Sequence, residues 1–273
     1  MSSYLNKQLE MRVSDNKSSE FAWLNSYETL GAVDGPGLRL ILFLQGCSMH
    51  CLFCHNPETL SFSNKDKKIT VDEVIELYQK NKSFYDNNGG ITLSGGEAMA
   101  QINFVIALFK KCKELGIHTA IDTAAGPMHL LSAKELNDMI KYTDIFLVDL
   151  KHPNNEISIG LTGTTNDNQK ELIRLLEAKG KHYWVRHVLV PTFSDAKEEY
   201  MIDLGRIMGG LKHMDKFELL PYHNMAVGKY DHLGWGYPLK DIEPPTKVQI
   251  QEAIKLIKKG MDIVKKDPSQ SLI

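Results

Sequence analysis

The chain alternates short apolar runs with longer stretches in which apolar residues recur every three or four positions, the two periods of buried strands and amphipathic helices. Leu38 to Leu44 is apolar apart from Arg39, as expected of a parallel strand covered on both faces. Thr70 and Glu73 form a capping box, and Val71, Val74, Ile75 and Tyr78 follow at helical spacing, so a helix is predicted from 71. Gly90 to Ser94 reads as a second strand. The helix after it has Val105, Leu108, Phe109, Cys112 and Leu115 on its inner face and stops at Gly116. The pattern continues with a strand over 117–122, a helix from 133 behind the Ser132/Glu135 box, a strand over 145–150, a helix over 167–179, a strand over 183–190 and a helix over 197–208. A sixth strand, Lys216 to Leu220, precedes a loop with Tyr230, Trp235 and Tyr237, and Thr246 with Gln249 opens a last helix. This alternation predicts an α/β fold of six βα units with right-handed crossovers and a parallel sheet, doubly wound or curled toward a barrel. Residues 1–26, polar and without a period, read as an N-terminal extension, and 27–273 as one domain.

Composition narrows the function classes. With 42% hydrophobic and 24% charged residues in 273, the chain is an ordinary globular protein and not a disordered one. A formal net charge of -2 argues against affinity gained by neutralising phosphates, so nucleic acid is not an expected partner. No apolar segment approaches the ~20 residues that span a bilayer, and the first residues lack the apolar core of a secretory signal. A cytoplasmic location away from membranes is expected. Of four cysteines, Cys47, Cys51 and Cys54 lie within eight residues and Cys112 stands on an apolar helix face. Such a cluster binds metal or does chemistry rather than building a disulfide framework, and Cys112 reads as packing.

Ligands of parallel α/β sheets bind where the strands end at their carboxyl termini. The unusual polar residues of this chain collect there: Gln45 to Asn56 after the first strand, Gly95-Gly96-Glu97 after the second and Asp122-Thr123 after the third. Asp149-Leu150-Lys151, Arg186 and Pro221-Tyr222-His223 come from the later strands. Three thiols spaced C-x3-C-x2-C can wrap a compact metal centre. On a four-iron cluster three thiolates leave one iron open to a small molecule; a Cys3His zinc loop using His50 or His55 is the alternative that spacing leaves open.

The stretch Val33-Asp34-Gly35-Pro36-Gly37-Leu38-Arg39, followed by Gln45-Gly46-Cys47-Ser48-Met49-His50-Cys51-Leu52-Phe53-Cys54-His55-Asn56-Pro57, resembles the radical S-adenosylmethionine enzymes, and among them the pyruvate formate-lyase activating enzymes. The likeness extends through Ser94-Gly95-Gly96-Glu97-Ala98, Ile121-Asp122-Thr123, Val148-Asp149-Leu150-Lys151, Trp184-Val185-Arg186 and Leu219-Leu220-Pro221-Tyr222-His223. It implies a partial (β/α)6 TIM-like barrel over 27–273 and one 4Fe-4S cluster on Cys47, Cys51 and Cys54. It also implies reductive cleavage of S-adenosylmethionine to methionine and a 5'-deoxyadenosyl radical, which takes a hydrogen atom from a glycine of a partner enzyme, pyruvate formate-lyase.

Roles follow residue by residue from the same resemblance. Gly95 and Gly96 let backbone approach the methionine moiety, and Glu97 offers an acceptor to its ammonium. Phe53 meets the adenine through its backbone and shields the cluster, while His55 and Asn56 stand beside the cofactor and the incoming glycine loop. Lys151 neutralises the cofactor carboxylate; Asp149 and Leu150 share its strand end. Asp122, Thr123, Leu147 and Asp149 form a monovalent-cation site. Arg186 needs an anion, either the cofactor or a structural carboxylate such as Asp149 or Glu97. His223 lies on the ribose or substrate side. No side chain is required as acid or base.

One departure from the family pattern is Ala124-Ala125-Gly126, where Asn-Gly usually follows Asp-Thr. A flavodoxin-like electron donor and a monomeric state are expected. Activation of anaerobic ribonucleotide reductase is the alternative within the superfamily, disfavoured by His55 where that family has Tyr. Activators with a ferredoxin-like insert are disfavoured because no cysteine lies between Cys54 and Ser94. A zinc-binding interaction module is the alternative from another class.

Overall fold

The computed structural model describes residues 18–85 and 88–273. The strands are β1 (Phe21–Gly31), β2 (Arg39–Leu44), β3 (Lys68–Thr70), β4 (Gly90–Gly95), β5 (His118–Thr123), β6 (Ile145–Asp149), β7 (Tyr183–Leu189) and β8 (Met214–Pro221). They form an open sheet in the order β3-β1-β2-β4-β5-β6-β7-β8. The helices are α1 (Val71–Lys80), α2 (Ile102–Glu114), α3 (Ala133–Tyr142), α4 (Asn155–Thr162), α5 (Asp167–Ala178), α6 (Glu198–Met208), α7 (Val227–His232) and α8 (Lys247–Lys266). β2 runs parallel to β4, β4 to β5 and β7 to β8, whereas β1 is antiparallel to both β2 and β3. All six expected βα units are present, and the capping boxes at Thr70, Ser132 and Thr246 are formed.

Four elements were not legible from periodicity. Residues 21–26, read as part of an extension, belong to β1, whose Phe21, Ala22 and Trp23 pair with Thr70, Ile69 and Lys68. Ala22 and Leu24 are buried, but the outward positions carry Phe21 and Trp23, so both faces look apolar and the period of two is hidden. Those two rings are covered by the Lys68 ammonium, 4.2 and 4.8 Å from their centroids. The earlier part of that extension, residues 1–17, lies outside the described residues. β3 is too short to show a pattern, and α4 and α7 are short helices inside stretches read as loops.

The chain forms two compact units, one of the described residues up to Ser48 with Glu58–Leu147, the other of Met49–Pro57 with Val148–Ile273. In the first, β2 and β4 are buried along nearly all their length, and α2 buries Phe104, Val105, Leu108, Phe109 and Cys112. Arg39 is fully buried there and tolerated because its donors are used: Nε to the Thr92 hydroxyl at 2.6 Å, Nη1 to the Pro36 carbonyl at 2.9 Å and Nη2 to the Ile91 carbonyl at 2.9 Å. Burial lowers its pKa to about 10. Thr92 in turn donates to the Asp34 carbonyl at 2.7 Å, so the Asp34-Gly35-Pro36-Gly37 loop is pinned at the end of β2 opposite to the cysteines. In the second unit α6 and α8 cross where Gly205 faces Gly260. A Cβ on either would collide with a carbonyl of the other helix, and this close crossing seats the last helix.

Candidate active site

The cysteine loop begins as β2 ends. In the first unit, Gln45 Nε2 donates to the carbonyls of Glu58 and Ser61 at 3.1 and 2.7 Å, and the Gly46 and Cys47 amides donate to Thr59 and Leu60 at 2.7 and 3.2 Å. The loop after β4 is laced to this start. The Gly96 amide donates to the Leu44 carbonyl and the Glu97 amide to the Gly46 carbonyl, both at 2.9 Å. Gly95 has φ +114, and a Cβ on Gly96 would collide with the Gly46 carbonyl and lie 2.8 Å from that of Thr59. The Gly-Gly pair is therefore demanded by backbone meeting backbone, a reason internal to the fold.

Glu97 is 2% exposed. The expectation that it serves a cofactor's ammonium meets a carboxylate already engaged by its own chain. Its Oε1 accepts from the Met99 amide at 3.0 Å and the Thr123 hydroxyl at 2.6 Å, and its Oε2 accepts from the Ala124 amide at 3.0 Å. Burial pushes its pKa up, against these hydrogen bonds and one from Gly126. Glu97 thus ties the loop after β4 to the loop after β5. Ser94 donates to Asp122 at 2.8 Å, and Thr123 and Leu147 are buried. Ala125, whose amide donates to Thr123 Oγ1 at 2.8 Å, has φ +54. That left-handed backbone explains a glycine at this place in the family pattern, and here an alanine carries the strain.

The second unit holds the rest of the loop. The His50 and Leu52 amides donate to the carbonyls of Thr162 and Leu161 at the end of α4, at 2.9 and 2.8 Å, and the Cys54 amide closes a turn onto the Cys51 carbonyl at 3.0 Å. Leu52 and Phe53 pack on a core of Val190, Tyr222, Tyr230 and Tyr237, the aromatic residues of the segment read as a loop. Cys47, Cys51 and Cys54 are half-buried thiols outside any disulfide. Burial pushes the Cys51 thiol up to about 12, with Lys151 working in the other direction. What fits an iron-sulfur cluster is the chemistry of the donor set, three soft sulfur donors within eight residues.

Asp149 and Lys151, two apart at the end of β6, point the same way and form an ion pair of 2.6 Å. The Lys151 ammonium lies 5.6 Å from the Phe53 ring centroid. Leu150 is buried, with its amide on the Arg186 carbonyl at 2.9 Å. Arg186 Nε donates to Glu218 at 3.0 Å, its register partner on β8, and Glu218 also meets Lys216 at 2.7 Å. Glu218 is thus a structural partner of Arg186, a residue the sequence reading did not single out although it stands as an isolated acid within the sixth strand. Exposed His55 and His223 meet edge to face at 4.8 Å, and Lys229 on α7 donates to Asn56 at 2.9 Å. No sequence signal marks Lys229; it reaches Asn56 only through the fold.

Residues 33–172 match the family described as a 4Fe-4S single cluster domain. A domain of pyruvate-formate lyase-activating enzyme from Bacteroides vulgatus superposes with a TM-score of 0.51 at 22% identity, over 63% of this chain and 94% of that one. Streptococcus suis SuiB bound to S-adenosylmethionine superposes with 0.55 at 19% identity, over 81% and 45%. An open, mostly parallel α/β sheet with a three-cysteine loop at the end of a buried strand is the architecture of the radical S-adenosylmethionine enzymes. Pyruvate formate-lyase-activating enzymes of Staphylococcus epidermidis and Staphylococcus aureus are each 42% identical to it over 237 residues, 86% of this chain and 94% of theirs. The chain belongs to the pyruvate formate-lyase-activating enzyme family. No helix among the described residues is long and apolar enough to cross a membrane.

Proposed function

We propose that this protein activates pyruvate formate-lyase by abstracting a hydrogen atom from one of its glycines. Cys47, Cys51 and Cys54 would hold a 4Fe-4S cluster, which when bound would supply the electron for reductive cleavage of S-adenosylmethionine. The observation that carries this reading is the three-thiol loop following β2 in a chain 42% identical to named activating enzymes over most of its length. With three thiolates as the protein's donors, such a cluster would keep a place for a small-molecule ligand.

The chain's own residues bind and orient. Lys151, held by Asp149, faces the cofactor carboxylate, and Arg186, held by Glu218, adds positive charge from the middle of the neighbouring strand β7. Phe53 covers the cluster and meets the adenine through its backbone. His55, Asn56 and His223 line the approach of ribose and glycine loop, with Lys229 fixing Asn56. Gly95 and Gly96 bring backbone to the methionine moiety, and Glu97 acts indirectly, by holding the 123–126 loop. Asp122, Thr123, Leu147 and Asp149 supply oxygens for a monovalent cation. A flavodoxin-like protein delivers the electron, and the enzyme works as a cytoplasmic monomer.

Anaerobic reconstitution followed by iron and sulfide analysis is the test, with 5'-deoxyadenosine and the partner's glycyl radical then measured by chromatography and paramagnetic resonance. Four irons and four sulfides per chain are expected by the cluster's stoichiometry. Alanine at Cys47, Cys51 or Cys54 should abolish nucleotide cleavage. Stoichiometric zinc without sulfide, or undiminished 5'-deoxyadenosine from a cysteine variant, would overturn the reading.

A further inference from the structure

His187 lies on β7 next to Arg186, with its imidazole buried. Its Nδ1 is 2.9 Å from the Leu150 carbonyl oxygen, while the Leu150 amide donates to the Arg186 carbonyl at 2.9 Å. Consecutive residues of β7 thus grip both polar groups of Leu150. A carbonyl oxygen only accepts, so Nδ1 carries the proton and Nε2 is left with a lone pair. That Nε2 is buried with no hydrogen-bond partner among the described residues. A buried acceptor left unmatched costs stability that an aliphatic side chain of similar volume would not. Packing alone therefore does not account for an imidazole here, and the directional contact it makes is with Leu150.

The position of that carbonyl gives the contact its meaning. β6 ends at Asp149, and the Leu150 carbonyl belongs to the peptide plane that leads into Lys151. Where a ladder ends, the orientation of the next peptide decides where the following side chain points. On the far side of Lys151, Asn166 Nδ2 donates to the carbonyls of His152 and Pro153 at 2.8 and 2.6 Å, so the lysine sits between two side-chain clamps.

We infer that His187 is a positioning residue for cofactor binding: its Nδ1–H fixes the peptide plane entering Lys151 and so presents the ammonium to the carboxylate of S-adenosylmethionine. This rests on the proposed function, and it assigns to a core residue a share of cofactor affinity. Asparagine can place an amide N–H near the position of Nδ1, whereas leucine fills the space without a donor.

The test compares wild type, His187→Asn and His187→Leu, each reconstituted anaerobically and assayed for iron and sulfide, then titrated with S-adenosylmethionine while the resonance spectrum of the reduced cluster is followed. All three should hold the cluster. His187→Asn should bind within about twofold of wild type and His187→Leu about tenfold more weakly, the scale of one directional interaction. A leucine variant with an intact cluster and unchanged affinity would overturn the inference, as would cluster loss in both variants, which would make the ring a packing element. A second readout is independent of the nucleotide: nitrogen resonances of the oxidised, spin-paired holoprotein should show His187 as the Nδ1–H tautomer, and the Nε2–H tautomer would overturn the clamp. A wild-type cluster blind to the nucleotide beside a correct tautomer would instead locate the failure in the proposed function.

Discussion

Glu97, after β4, and Asp149, at the end of β6, are carboxylates that the two compact units hold by different means. Glu97, in the first unit, accepts from three backbone amides and a threonine hydroxyl and is 2% exposed. Asp149, in the second, faces the Lys151 ammonium at 2.6 Å with 19% of its side chain exposed. The same contrast runs through their surroundings. In the first unit the loops after β2 and β4 meet backbone against backbone, with Gly96 against Gly46 and a carboxylate used as a tie. In the second unit long side chains are held by other side chains: Lys151 by Asp149, Arg186 by Glu218, Asn56 by Lys229. Each unit thus has its own way of fixing a strand end, shape in the first and paired charge in the second.

The largest expected effect tests the shape half. Gly96→Ala places a methyl against the Gly46 carbonyl and should cost about 3 kcal/mol and the cluster with it, read by thermal unfolding and iron content. Gly228→Ala in α7, where an added methyl meets nothing within 4 Å, should cost nothing. Equal losses in the two variants would erase the contrast.

An intermediate effect separates tie from presented charge. Glu97→Gln turns amide hydrogens toward backbone N–H groups and should destabilise the fold by about 2 kcal/mol. Lys151→Met should change stability by less than about 1 kcal/mol yet weaken nucleotide binding at least about tenfold, with cluster content intact. Weak nucleotide binding from Glu97→Gln at full thermal stability would give Glu97 a direct contact instead and sharpen the boundary between the halves.

The smallest effect concerns strain in the first unit. Ala125→Gly relieves a left-handed backbone at φ +54 and should raise stability by about 0.5–1 kcal/mol, seen as a higher melting temperature. No gain would mean that the loop pinned by Glu97 and Thr123 holds that conformation without cost.

The chemistry was legible in the residues. C-x3-C-x2-C, Gly-Gly-Glu, Asp-Thr and Asp-Leu-Lys mark strand ends by local pattern, and the strands and capped helices announce themselves through period and box residues. What escaped was non-local. β1 hid because its outward aromatic residues find lysine partners on another strand, and α4 because its use, to supply the Leu161 and Thr162 carbonyls to the cysteine loop, arises between segments distant in sequence. Gly95 and Gly96 stood out in the sequence, and the fold adds a reason of its own, the close approach of the Leu44 and Gly46 backbone.

The amino-acid sequence by itself determined the six βα units, through period and box residues, and, through motifs that resemble a known family, the class of reaction. Only the tertiary structure decided which partner each charged or buried polar group takes: Glu218 for Arg186, Thr123 for Glu97, Leu150 for His187. Such pairings depend on strand register and on where a chain turns, and a hydrogen bond between residues tens of positions apart leaves no trace in the local pattern of either.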